Sequence, residues 1–193
     1  MGSEPEKKES TFLKDIIFIV LVTAFIVLPI RIFIAQPFVV SGESMSPTFE
    51  NGDYLIVDQL SYRIENPERY DVIIFRYPND TKKFFIKRII GLPGEKINAT
   101  NGKIAVETKD NKEKLELNES YVKNKSVNGT FSTQLNDGEY FVMGDNRTAS
   151  LDSRIWGALD RNLIAGKALF RLLPFTKIGF MPGKHKDESK IIE

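Results

Sequence analysis

The chain has 193 residues, 41% hydrophobic and 27% charged, which suits a packed core and argues against wholesale disorder. Its net charge of +1 lacks the strongly basic balance of a general nucleic-acid binder. It has no cysteine, hence no disulfide, thiolate metal site or cysteine nucleophile, and its one histidine, His185, lies in a polar tail ill suited to a Ser-His-Asp triad.

From Ile16 to Ala35 the sequence reads IIFIVLVTAFIVLPIRIFIA, apolar all round and broken only by Thr23, Pro29 and Arg31. Twenty helical residues reach about 30 Å, roughly the hydrocarbon thickness of a bilayer. The run predicts a transmembrane anchor over 12–35, kinked near Pro29, after a short segment 1–11. A buried core helix would show a polar face, and a cleaved signal peptide would be shorter, with a better small-x-small site than Phe33-Ile34-Ala35. Lys7, Lys8 and Lys14 precede the run, and no Lys or Arg occurs between Arg31 and Arg63. The positive-inside rule then puts the N-terminus in the cytoplasm and the body outside the cell membrane.

The body shows short β-rich runs at Tyr54–Val57, Val72–Tyr77, Phe84–Ile90, Glu139–Met143 and Leu163–Leu172. Turn signals such as Asn51-Gly52, Pro93-Gly94, Asn101-Gly102, Asn128-Gly129 and Asp137-Gly138 punctuate them. The expected fold is mainly β: an antiparallel coiled sheet or barrel over 36–91 and 138–182. The polar, lysine-rich stretch 92–137 reads as an inserted, hairpin-bearing subdomain, and 183–193 as a flexible tail. No internal repeat is present.

Three serines, Ser41, Ser44 and Ser46, fall in SGESMSPT, a composition that by itself describes a loop. A second segment, FFIKRIIGLPG, changes the balance. In a strand, Lys87 shares a face with Phe85 and Ile89. Burial there would lower its pKa from about 10.4, at about 1.4 kcal/mol per unit, and a neutral amine can deprotonate a serine. A lysine that snorkels to water fits the same pattern, and the residues alone leave both readings open.

Four segments in order after the apolar run resemble the motifs of type I signal peptidases. They are SGESMSPTF (Ser41–Phe49), GDYLIVDQLSY (Gly52–Tyr62), FIKRIIGLPGE (Phe85–Glu95) and GDNRTASLDSR (Gly144–Arg154). The resemblance extends from about Phe12 to Met181. It implies a membrane-bound serine endopeptidase that removes signal peptides from exported preproteins after small-x-small sequences, with no metal or organic cofactor.

Position by position, Ser44 matches the nucleophile, with its backbone N–H in the oxyanion hole, and Lys87 matches the general base. Ser150 matches a serine that orients the lysine, while Met45, Asp145, Arg147, Asp152 and Arg154 match structural positions around the site. Trp156 is expected in the core. Gly42 stands where some members have a second oxyanion donor, similar to the Gram-positive form, and leaves that donor unnamed. Ser120 and Lys123 also fit an S-x-x-K pattern, without the downstream S-D-N or K-T-G that would support it. Two rivals are a self-cleaving protease of the SOS-repressor kind, which would carry a helix-turn-helix in place of the apolar run, and a membrane-tethered β-domain that only binds partners.

Overall fold

The computed structural model describes residues 9–27, 35–110, 113–123, 130–186 and 188–192. Helix α1 covers Glu9–Val22, and a π-type stretch continues it over Thr23–Val27. Phe12, Leu13, Ile16, Ile17, Phe18, Ile19, Val20 and Leu21 are all exposed along it. Among the described residues no helix is long and apolar enough to cross a membrane, so they do not show the anchor expected over 12–35, of which residues 28–34 lie outside them. Pro29, where the kink is expected, and Arg31 lie outside the described residues.

The β-rich runs become strands. In chain order they are β1 (Ala35–Val39), β2 (Tyr54–Asp58), β3 (Val72–Tyr77), β4 (Asp80–Gly91), β5 (Lys96–Thr100), β6 (Lys103–Glu107) and β7 (Lys114–Glu116). They continue as β8 (Phe131–Gln134), β9 (Glu139–Met143), β10 (Leu159–Asp160), β11 (Ile164–Leu173), β12 (Gly179–Phe180) and β13 (Lys190–Ile192). Short helices α2 (Ser61–Ile64) and α3 (Ser153–Trp156) interrupt them.

All recorded strand pairs are antiparallel. The larger sheet runs β1-β2-β11-β3-β4-β9-β10, with β12 beside β11, and the smaller runs β13-β7-β6-β5-β8. The larger sheet coils through register shifts in β11 and at the end of β4. It does not close into the barrel held as one alternative: β1 and β10 end the order without pairing, and β10 has only two residues.

Three apolar clusters hold this together. Val40, Met45, Phe49, Leu55, Val57, Ile74 and Ile86 pack beneath the serine-bearing loop. Ile73, Phe75, Ile89, Tyr140, Val142 and Leu159 form a second group, with half-buried Trp156 against it. The third joins the sheets: Ile90, Phe141 and Met143 of the larger meet Ile97, Ala99, Ile104, Val106 and Leu135 of the smaller sheet and its flank. The stretch 92–137 therefore shares a core with the larger sheet.

The tail expected to be flexible is docked. β13 pairs with β7, His185 packs edge-on against Tyr70 and Tyr121, and Ser189 Oγ lies 3.1 Å from Tyr70 Oη. Backbone pairing and aromatic contacts offset the polarity that made the tail read as frayed.

Candidate active site

Ser44 sits in the loop of residues 40–53 between β1 and β2. Its neighbours Met45 and Phe49 are 1% and 0% exposed, so the loop is pinned from below while Ser44 stays half-buried. Gly42 has φ of +91°, in the left-handed region that L side chains rarely adopt, and its N–H donates to Asn51 Oδ1 at 2.9 Å. The glycine thus has a conformational reason to be there. The Ser44 N–H donates to no group among the described residues, and the Ser44 carbonyl accepts from Asn146 N–H at 3.0 Å.

Lys87 projects from β4 and is 4% exposed. Its Nζ lies 2.8 Å from Ser44 Oγ and donates to the Ile86 carbonyl at 2.9 Å. The amine therefore faces the serine and not bulk water. Burial pulls its pKa down from 10.5 to about 8, against the opposing pull of the Asp152 and Asp145 carboxylates. Below pH 8 the folded chain must hold an ammonium where water cannot solvate it, at a cost of about 3 kcal/mol.

Asp145, just after β9, ties both segments together. Its carboxylate accepts from Arg88 Nε at 2.8 Å, Arg88 Nη2 at 2.6 Å and Thr48 Oγ1 at 2.5 Å. Arg88 follows Lys87 in β4 and Thr48 belongs to the serine loop, so one buried carboxylate fixes the Lys87 and Ser44 segments against each other. Arg88 is fully buried, donates also to the Tyr70 and Gly183 carbonyls, and lies 4.1 Å from the Tyr121 ring.

Arg147 forms a buried forked pair with Glu119 and donates to the Gly144 carbonyl at 3.0 Å. Asp152 caps α3 and pairs with Arg154 through bonds of 2.7 and 2.8 Å. It also accepts from Gly144 N–H at 3.0 Å. Burial works against ionisation of Asp152, but the Arg154 hydrogen bonds and charge hold its pKa below the usual carboxylate range.

Ser150 does not make the expected bond to Lys87. Its Oγ is buried, makes no hydrogen bond of ordinary geometry among the described residues, and interacts with the Asp152 carboxylate, whose pKa it helps to lower. It lies against Gly144: a Cβ added there would overlap both Ser150 Oγ and the Ser44 carbonyl. Ser120 and Lys123, the rival pair, lie in the turn after β7, away from the groove.

A groove of about 440 Å³ opens onto Ser44 and Lys87. Its walls are mostly apolar, with Phe38, Val40, Leu55, Ile74 and Phe84 prominent. No group of three or more metal-ligating side chains occurs among the described residues.

Arg88, Glu119, Thr48 and Gly144 were not singled out from sequence. An arginine within the apolar strand IKRII signals a buried, paired guanidinium. No comparable signal marks Glu119, which is 28 residues from its partner.

A buried lysine amine against a loop serine, both lining an apolar groove, is the arrangement that a serine hydrolase without a histidine base requires. Residues 13–173 match the family model described as signal peptidase, peptidase S26. Among relatives, a probable signal peptidase I-1 from Synechocystis is 34% identical, covering 93% of this chain and 92% of that protein. A signal peptidase I from Bacillus caldolyticus is 37% identical, covering 82% and 91%. A solved signal peptidase I from Enterococcus faecalis aligns with TM-score 0.46 and 30% identity, over 54% of this chain and 97% of that one. The chain belongs to the signal peptidase family, peptidase S26, a family of serine endopeptidases.

Proposed function

We propose that this chain is a membrane-bound signal peptidase I that removes N-terminal signal peptides from exported preproteins, with Ser44 as nucleophile and Lys87 as general base. The 2.8 Å contact between Lys87 Nζ and Ser44 Oγ in a water-poor site carries the reading. With the amine neutral, the serine hydroxyl donates to Nζ. Oγ attacks the carbonyl carbon of the small residue that precedes the cut, and Lys87 takes the proton. The developing oxyanion accepts from the Ser44 N–H. The lysine then protonates the leaving amine, and the acyl-enzyme forms as the peptide bond breaks. Water attacks the ester, gives its proton to Lys87, and Ser44 leaves reprotonated.

Among the described residues the outer edge of β1 has no strand partner, so an extended substrate can add to it and lay alternate side chains into the groove. The buried Ser150 hydroxyl is proposed to orient the lysine during turnover. We assign the exposed apolar surface of α1 to lipid, within a single-pass anchor whose N-terminus is cytoplasmic.

Cleavage of a preprotein by the purified chain tests this. Ser44→Ala and Lys87→Ala should each abolish product release, and parental rates in both would refute the pair. The parental rate should climb with pH as Lys87 deprotonates near pH 8. Ser150→Ala should lower kcat more than it changes KM and move that pH midpoint.

A further inference from the structure

We propose that a second, arginine-lined cleft beside the active groove holds the phosphate of an anionic lipid headgroup. It has a volume of about 300 Å³ and shares Phe84 with the groove that contains Ser44 and Lys87. Arg63 of α2, Arg76 of β3 and Arg161 converge there with Gln36, Gln59 and Asn162, and among the described residues no Asp or Glu lines it. Three permanent cations and a set of amide donors without a lining carboxylate match a phosphodiester. Arg76 donates one Nη1 bond to the Thr81 carbonyl, and Arg161 donates through Nη2 to the carbonyls of Tyr62 and Glu65. A guanidinium carries five donors, so both retain N–H groups for a ligand.

Position selects the source of the phosphate. Gln36 in β1 directly follows Ala35, where the apolar run ends, so the cleft lies about one strand residue, roughly 3.3 Å, past that end. This step rests on the lipid anchor proposed above. At that level the cleft meets headgroups. A phosphatidylglycerol-type lipid offers an uncompensated negative charge, whereas phosphatidylcholine brings its own cation. A headgroup held there would set the height of Ser44 above the bilayer.

The test uses the full chain in uncharged detergent, with native mass spectrometry after adding equal phosphatidylglycerol and phosphatidylcholine. Preferential retention of one phosphatidylglycerol is expected. Arg63 and Arg76 are exposed, so Arg63→Gln with Arg76→Gln should leave the melting temperature unchanged yet weaken retention by about tenfold or more. Arg63→Lys with Arg76→Lys, which keeps the charge, should restore most of it. Equal retention of both lipids, or undiminished retention by the glutamine variant, overturns the proposal. Displacement of the lipid by millimolar inorganic phosphate would make free phosphate the ligand, and displacement by an acidic peptide would make it substrate; either overturns the headgroup assignment. Ser44→Ala should retain lipid like the parent. Loss of the peptidase reading therefore leaves this readout intact, and vesicle sedimentation tests the anchor separately.

Discussion

Lys87 shows how a single side chain trades stability for reactivity. Unfolded, its amine keeps a proton up to about pH 10.5; folded, it releases it near 8. Between those values the unfolded chain binds the extra proton, so stability rises with pH, and below pH 8 the whole cost of about 3 kcal/mol is carried. Lys87→Met should therefore stabilise the fold at pH 7 by up to about 3 kcal/mol, with the gain shrinking toward pH 10 in urea unfolding. A gain independent of pH would mean that the amine is not desolvated. Arg88 poses the opposite case. Its loss leaves Asp145 buried without its cation, so Arg88→Met should destabilise by about 3–5 kcal/mol and lower the urea midpoint accordingly.

At the level of elements, the turn after β9 and the terminal strap organise what the strands present. Gly144 packs where a methyl group would strike the Ser44 carbonyl and Ser150 Oγ. Gly144→Ala should thus cut peptidase activity at least tenfold while far-ultraviolet circular dichroism stays unchanged; unaltered turnover would show that the turn can give way. The strap from 184 to 192 adds β13 to the smaller sheet and covers Tyr70 and Tyr121 through His185. Deleting residues 184–193 should lower the melting temperature by about 5 °C or more. An unchanged melting curve would restore the flexible tail expected from its polarity.

For the whole molecule, α1 is apolar all round from Ile16 onward, and water is a poor neighbour for such a surface. The full chain reconstituted in vesicles should stay with the membrane pellet after alkaline carbonate extraction; release into the supernatant would refute the anchor. The apolar run, the alternating strands and the serine and lysine segments were legible in sequence because each depends on neighbours a few residues away. The two side chains that meet at 2.8 Å are 43 residues apart, and the Arg88–Asp145 and Arg147–Glu119 pairs span 57 and 28. No local pattern records those partners. The open sheet, the docked tail and the buried Ser150 hydroxyl likewise arise from packing between distant segments. Sequence alone determined which groups are available for chemistry. Only tertiary structure decided how dry Lys87 is and what it faces, since solvation and electrostatics depend on everything folded around a site.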